Sequence, residues 1–115
     1  MHEVSIAQSL LELALQVSRE QGMGRVKAIH VRLGVLSGVV PDALEFAFGA
    51  VSEGTPLAGA ALVIEEVPVK VFCAPCGEEH MLRQPFPMRC PACGRPVVKI
   101  VGGREIELRA LEGTG

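Results

Sequence analysis

Apolar side chains near the start of the chain recur with the spacing of a helix. They stand at steps of four, three and four residues, at Ile6, Leu10, Leu13 and Val17. This period predicts an amphipathic helix that buries that stripe, while the charged residues occupy its other faces. Ser5 and Gln8 have the spacing of a capping box, so we expect the helix to begin near Ser5. Gly22 then predicts its end.

The next two stretches predict a strand and a second helix. In "VKAIHVRLG" apolar and polar residues alternate, which predicts a strand with Ile29, Val31 and Leu33 on one face. His30 falls on the opposite, polar face, where a surface role is more typical than a catalytic one. Pro41 suits the first turn of a helix over "DALEFAFGAVSEG". The apolar stripe of that helix is Leu44, Ala47, Phe48 and Val51.

Two further strands are expected over "ALVIEEVPV" and "REIELRAL". The segment between them, residues 70–101, has a different character, because it holds all four cysteines and five of the eight prolines. We therefore predict an inserted module over 70–101 and a main α/β domain built from residues 1–69 and 102–115. At 115 residues the chain is long enough for one core and a small satellite.

The composition weakens the case for several kinds of partner. The chain has four Phe, no Tyr and no Trp, and its formal charge is −2. It therefore offers few platforms for stacking bases and no overall attraction for nucleic acid. No apolar run is long enough to span a bilayer, and no signal peptide is evident, so we expect a cytoplasmic protein without a membrane partner. Met1 is expected to remain and to carry a free amine, because histidine follows it.

The four cysteines form two identical short motifs, Cys73-x-x-Cys76 and Cys90-x-x-Cys93, and a glycine follows each motif. Two such turns predict a tetrahedral four-thiolate zinc site, with the glycines supplying the left-handed backbone that closes each turn. A pair of disulfides is disfavoured in a reducing compartment, and iron is the main rival ion. A shell of four sulfurs leaves no position for a substrate, so the metal is expected to be structural.

Other features of the module support a second possible function. It carries a net charge of +3, and similar ribbons bind nucleic acid, so a zinc-ribbon nucleic-acid or regulatory module is the alternative to be weighed. His80 is expected in the loop between the cysteine pairs, solvated rather than a fifth ligand. An enzyme is disfavoured, because no catalytic triad, phosphate loop or open metal site with a nearby base is evident.

The first three residues, Met1-His2-Glu3, can form a second metal site. The amine of Met1, the amide nitrogen of His2 and the imidazole of His2 can close a five-membered and a six-membered chelate ring on one ion. Glu3 can supply a fourth donor through its amide or its carboxylate. Nitrogens held in one plane give the square-planar geometry associated with Ni(II) and Cu(II). A histidine at position 2 is weak evidence when taken alone.

The sequence as a whole resembles the hydrogenase nickel-incorporation proteins, small metallochaperones that deliver nickel during assembly of nickel-iron hydrogenase. The resemblance rests on "MHEVSIAQSLLEL", on "VRLGVLSGVVPDALEFAFGAVSEGTPLAGAALVIEEVP", on "CAPCG" and "CPACG", and on "GREIELRALE". These stretches follow the order of the family and cover nearly the whole chain.

The resemblance implies a fold, two metal sites and a set of partners. The fold is α+β, with two helices packed on a small three-stranded mixed sheet and an inserted zinc ribbon. Nickel would bind at Met1, His2 and Glu3, and zinc would bind the four cysteines, Cys73, Cys76, Cys90 and Cys93. The implied partners are a nickel-loading GTPase and the hydrogenase large-subunit precursor. Because some members also serve urease, urease accessory proteins are candidate partners as well.

Overall fold

The computed structural model describes residues 3–83 and 87–114. Its elements are α1 (Glu3–Glu20), β1 (Val26–Gly34), α2 (Pro41–Ser52), β2 (Ala61–Val67), β3 (Val69–Cys73), β4 (Glu78–Leu82), β5 (Lys99–Gly102) and β6 (Ile106–Gly113). The strands form two sheets of three, in the orders β2-β1-β6 and β4-β3-β5. The expected α+β class, with two helices, is confirmed. No helix in the described ranges is long and apolar enough to cross a membrane.

Helix α1 is present, but its start and its buried face differ from the prediction. Ser5 already lies inside the helix, so the capping box predicted at Ser5 is wrong. Leu13, which was placed on the buried stripe, is 44% exposed. The buried stripe is instead Ala7, Leu10, Leu11 and Ala14. Helix α1 packs against α2.

Helix α2 begins as the sequence predicts. Pro41 occupies the first turn, where its missing N–H would have had no helical partner, and Val40 before it is extended. Leu44, Ala47 and Phe48 are buried, as expected. Phe46 lies off this stripe and is 81% exposed, which is unusual for so large an apolar side chain.

The first sheet is mixed, as the resemblance implies. The N–H of Gly24 donates to the carbonyl of Thr114 (2.8 Å), and the N–H of Gly34 donates to that of Glu105 (2.7 Å). Opposite ends of β1 and β6 therefore meet, so this pair is antiparallel. The N–H of Val35 donates to the carbonyl of Val67 (2.9 Å). This bond joins the carboxyl ends of β1 and β2, so this pair is parallel. The predicted alternation of β1 is confirmed, since Ile29, Val31 and Leu33 are buried.

The stretch expected to form one strand over "ALVIEEVPV" forms two. Strand β2 ends at Val67, strand β3 begins at Val69, and the two belong to different sheets. Pro68 stands between them, and proline interrupts a ladder because it has no N–H to donate. The predicted single strand is therefore wrong at its carboxyl end.

The second sheet is antiparallel and contains the start of the cysteine segment. Strand β3 pairs with β4 from Val69↔Leu82 to Cys73↔Glu78, and it pairs with β5 on its other side. This sheet belongs to a compact unit that consists of residues Leu33–Gly38 and Glu66–Ile106. Val69, the first residue of β3, lies beside Gly103, which directly follows β5. A Cβ on Gly103 would be 3.0 Å from the Cα of Val69. The predicted domain boundaries at 70 and 101 stay a prediction.

Candidate metal centre

The two cysteine motifs form two turns of the same local structure. Cys73 is the last residue of β3, and the N–H of Gly77 donates to its carbonyl at 2.8 Å. The N–H of Gly94 donates to the carbonyl of Cys90, also at 2.8 Å. Both glycines have positive φ, 69° and 74°. The predicted left-handed closure of each turn is therefore confirmed, and glycine adopts it without the steric penalty of a Cβ.

The turns bring the four sulfur atoms into one cluster. All four lie within 4.8 Å of one another. The Sγ atoms of Cys73 and Cys93 are 3.7 Å apart, and those of Cys76 and Cys90 are 3.8 Å apart. A tetrahedron with Zn–S bonds of about 2.3 Å has edges of about 3.8 Å. The four cysteines therefore fit a zinc ion in both donor chemistry and spacing.

The cluster is continuous with the small apolar core of its unit. Cys73 and Cys90 are each 1% exposed, whereas Cys93 is exposed. The buried residues around them are Val69, Val71, Leu82 and Val97. Four aliphatic side chains bury little surface, and a unit with so small a core needs a further source of stability. A metal held by the cysteines would supply it, since metal binding to a site absent from the unfolded chain is itself folding free energy.

The sulfur atoms strongly affect one another's protonation. The pKa of Cys76 is raised to about 12, first because its thiol hydrogen-bonds to Cys73 and then to Cys93, with burial adding to the rise. Burial also opposes ionisation of Cys90. The backbone N–H groups of Cys93 and Ala92 stabilise its thiolate and lower its pKa to about 6. Four thiolates at this spacing repel one another, so a cation is required before all four can ionise.

His80 was expected in a solvated loop, and this prediction is wrong. His80 lies on strand β4, opposite Val71. Its side chain is only 18% exposed, and the nearest carboxylate, Glu78, is 4.0 Å from its Nε2 atom. Nε2 is buried and has no hydrogen-bond partner among the described residues. The group of ligand atoms within reach of one ion consists of the four cysteines and excludes His80.

His30 occupies the polar face of β1, as predicted. Its Nε2 atom lies 3.1 Å from the carboxylate of Glu112 on β6, and its side chain is 27% exposed. The pair is a cross-strand contact on the sheet surface, where such pairs contribute modestly to pairing.

Only one of the three predicted nickel ligands is described, because Met1 and His2 lie outside the described residues. Glu3 is the first residue of α1 and is half-buried. It lines an open groove of about 520 Å³ between the start of α1 and one side of α2. The groove is mostly apolar and is lined by Glu3, Val4, Ser5, Ala43, Phe46, Ala47 and Ala50. This groove was not predicted from the sequence, although Phe46, an aromatic residue off the apolar stripe, was a signal.

Known proteins match nearly the whole chain. Residues 1–113 match the family model described as "Hydrogenase/urease nickel incorporation, metallochaperone, hypA". The chain is 54% identical to the hydrogenase maturation factor HypA of Chloroflexus aurantiacus, over 97% of this chain and 98% of that protein. It is 46% identical to the HypA of Geobacter metallireducens, again over 97% and 98%.

A solved structure has the same fold. The solution structure of the Ni metallochaperone HypA from Helicobacter pylori superposes with a TM-score of 0.71 at 24% identity, covering 99% of this chain and 98% of that one. The fold, the cysteine cluster and the full-length family match agree with one another. The chain belongs to the HypA family of hydrogenase/urease nickel-incorporation metallochaperones.

Proposed function

We propose that this protein binds Ni(II) through Met1, His2 and Glu3 and delivers it during maturation of nickel-iron hydrogenase, while zinc on the four cysteines stabilises the ribbon. One observation supports the proposal: this member of a nickel-incorporation family has the sequence Met1-His2-Glu3, in which an amine, an amide and an imidazole would be adjacent. These donors can occupy one plane around a single ion, and such planar nitrogen sites suit Ni(II).

The two metals would have different roles because their ligand sets differ. Zinc would be held by thiolates from two separate turns in a closed shell, which leaves no position for exchange with a partner. Nickel would be held at a chain terminus, where only a few backbone bonds have to rotate for the ligands to separate. The ribbon would therefore retain its ion while the terminus transfers its own. This is the function of a carrier, and none of these steps requires catalysis.

The partners follow from the family alone and are part of the proposal. A carrier of nickel needs a source and a destination. The source proposed here is a nickel-loading GTPase, and the destination is the hydrogenase large-subunit precursor, with urease accessory proteins as further candidates. All of these steps would take place in the cytoplasm.

The nickel site can be tested on the full-length, zinc-loaded protein with an unmodified N-terminus. His2→Ala removes the imidazole, and a short extension before Met1 converts the amine into an amide. Each change removes one donor from the chelate by a different route, so each should weaken nickel binding by at least about tenfold, measured by calorimetry. Zinc content and helical circular dichroism should not change.

His30→Ala and His80→Ala are the matched controls, because each removes an imidazole at a distance in sequence from the terminus. Both should bind nickel nearly as tightly as the parent protein. If the extended protein still binds one nickel tightly in a planar nitrogen environment, the terminal site is wrong.

Acidification should release nickel before zinc. Nickel binding needs an unprotonated amine (reference pKa about 7.7–8.0) and a neutral imidazole (about 6.5), so protons compete with the metal as the pH falls through this range. Binding is therefore strong above these values and is lost below them. We expect a titration from pH 8 to pH 6, followed by metal analysis after dialysis, to show loss of nickel with zinc retained. Loss of both metals at the same pH would contradict the two-site proposal.

A further inference from the structure

The sheet of the ribbon has an open, apolar edge at β5. Strand β5 pairs with β3 on one side, with Val71 opposite Ile100 and Phe72 opposite Lys99. On its other side it meets no strand in residues 3–83 and 87–114. Val98, which leads into β5, is 94% exposed. Open edges of this kind are usually shielded by charge, proline or a covering element, because their free N–H and C=O groups can pair with another chain.

A groove lies at the start of β5, within the same compact unit. It has a volume of about 230 Å³ and is lined by Phe72, Ala74, Pro75, Pro96, Val97, Val98 and Lys99. Six of these seven side chains are apolar. The groove is therefore suited to one or two aliphatic side chains, and the strand edge next to it could hold the backbone that carries them.

The rim of the groove carries positive charge without a matching carboxylate. The ammonium of Lys99 lies over the ring of Phe72, 5.5 Å from its centroid. In the described part of the chain, Lys99 and the neighbouring Arg95 have no carboxylate within salt-bridge distance. Lys70, on β3 of the same sheet, differs, since its Nζ lies 3.5 Å from a carboxylate oxygen of Glu79.

Charge is also divided along the sequence. The whole chain carries −2 and residues 70–101 carry +3, so the remaining residues carry −5. An acidic partner would be repelled by the rest of the protein and attracted to the ribbon. Nucleic acid fits the groove less well, because its aromatic ring, Phe72, is already covered by Lys99.

We propose that the β5 edge and its groove bind an extended, acidic segment of another protein, which adds to the sheet as a strand. Backbone groups of the segment pair with the outer edge of β5, and alternate aliphatic side chains enter the groove against Val98. A carboxylate beside them pairs with Lys99. This binding uses none of the proposed nickel ligands, so it stands or fails independently of the nickel site.

The test is a selection of random peptides displayed on phage against the full-length, zinc-loaded protein. We expect enriched peptides to alternate β-branched residues with Asp or Glu. A synthetic peptide of the enriched sequence should shift the amide resonances of Val98 and Lys99 in an NMR titration. Lys99→Glu should weaken its binding by about tenfold, and exchanging the peptide's carboxylate for lysine should restore binding to that variant. Met81→Glu, on the opposite edge strand β4, is the matched control and should bind as the parent does.

Several outcomes would overturn the proposal. These are a selection without enrichment, enrichment of basic peptides, and equal weakening by Lys99→Glu and Met81→Glu. Amide shifts confined to the groove between α1 and α2 would contradict it as well. A single-stranded oligonucleotide that displaces the peptide would assign the surface to nucleic acid. Self-association that Val98→Glu abolishes would assign it to a second copy of the chain.

Discussion

Cys76→Ser is expected to lose zinc and to unfold residues near 70–101. Structural zinc sites have apparent binding free energies of about 10–16 kcal/mol, and three thiolates with a hydroxyl hold the ion far less tightly than four thiolates. The few aliphatic residues around the cluster cannot hold the ribbon without it. The helices and the first sheet should persist, because their apolar stripes lie outside the ribbon. Metal analysis and amide NMR spectra measure the two effects separately.

Ala74→Ser is the matched control for this variant. It adds a hydroxyl group to the same turn at an exposed position and leaves all four sulfur atoms in place. It should keep one equivalent of zinc and native ribbon resonances. Retention of one zinc with a native ribbon in Cys76→Ser itself would rule out the four-thiolate site.

Gly34→Ala should destabilise the protein by about 2–4 kcal/mol, because a methyl group here has no room. An added Cβ would lie 2.1 Å from the carbonyl oxygen of Gly103, which is backbone and cannot move aside as a side chain could. That carbonyl also accepts a hydrogen bond from the N–H of Leu36 at 2.6 Å, so relief of the clash would disturb the bond. Thermal unfolding should show a fall in Tm on the order of 10 °C.

Gly49→Ala makes the same substitution where the added methyl group has free space. Gly49 lies inside α2, and a Cβ there would meet nothing within 4 Å. Alanine has the higher helix propensity, so this variant should be stabilised by about 0.5–1 kcal/mol. The two variants should therefore shift the Tm in opposite directions. Equal shifts would mean that the close approach at Gly34 is absent in solution.

The sequence predicted both helices and β1 because each shows one dominant period. It placed Leu13 on the buried stripe of α1 and missed Ala7, Leu11 and Ala14, because that helix has apolar residues on several faces. The set beginning at Ile6 and the set beginning at Ala7 both have helical spacing. Tertiary packing decides between them, and it buries the set containing two alanines. No period within α1 alone carries that information.

Strands β3, β4 and β5 could not be predicted from the spacing of apolar residues, for a similar reason. "EEHML" has no alternation that would predict a strand, yet it pairs with β3 from end to end. The turn closed by Gly77 brings these residues back along β3, and the pairing follows from that turn. His80 was assigned to a loop because this pairing was not foreseen. The break at Pro68, by contrast, was visible in the sequence, since proline has no N–H for a ladder.

The candidate sites were predictable to different degrees. The cysteine cluster follows from local spacing, and the structure brings its four sulfur atoms together. The groove between α1 and α2 depends on how two helices meet, so only Phe46 pointed to it. The open edge of β5 could not be foreseen, because it depends on the order of strands in a sheet whose strands were themselves not predicted.

The side-by-side position of Val69 and Gly103 affects how the chain reaches its native state. Before the ribbon folds, β6 can pair with β1 only by closing a long flexible loop. Once zinc has ordered the ribbon, its two ends are adjacent, and the loop is reduced to a few residues. The entropic cost of closing a loop decreases as the loop becomes shorter. For a reduction of this size, the free-energy cost falls by on the order of 2 kcal/mol. Zinc bound early in folding would therefore accelerate the addition of the last strand to a sheet that contains none of the zinc ligands.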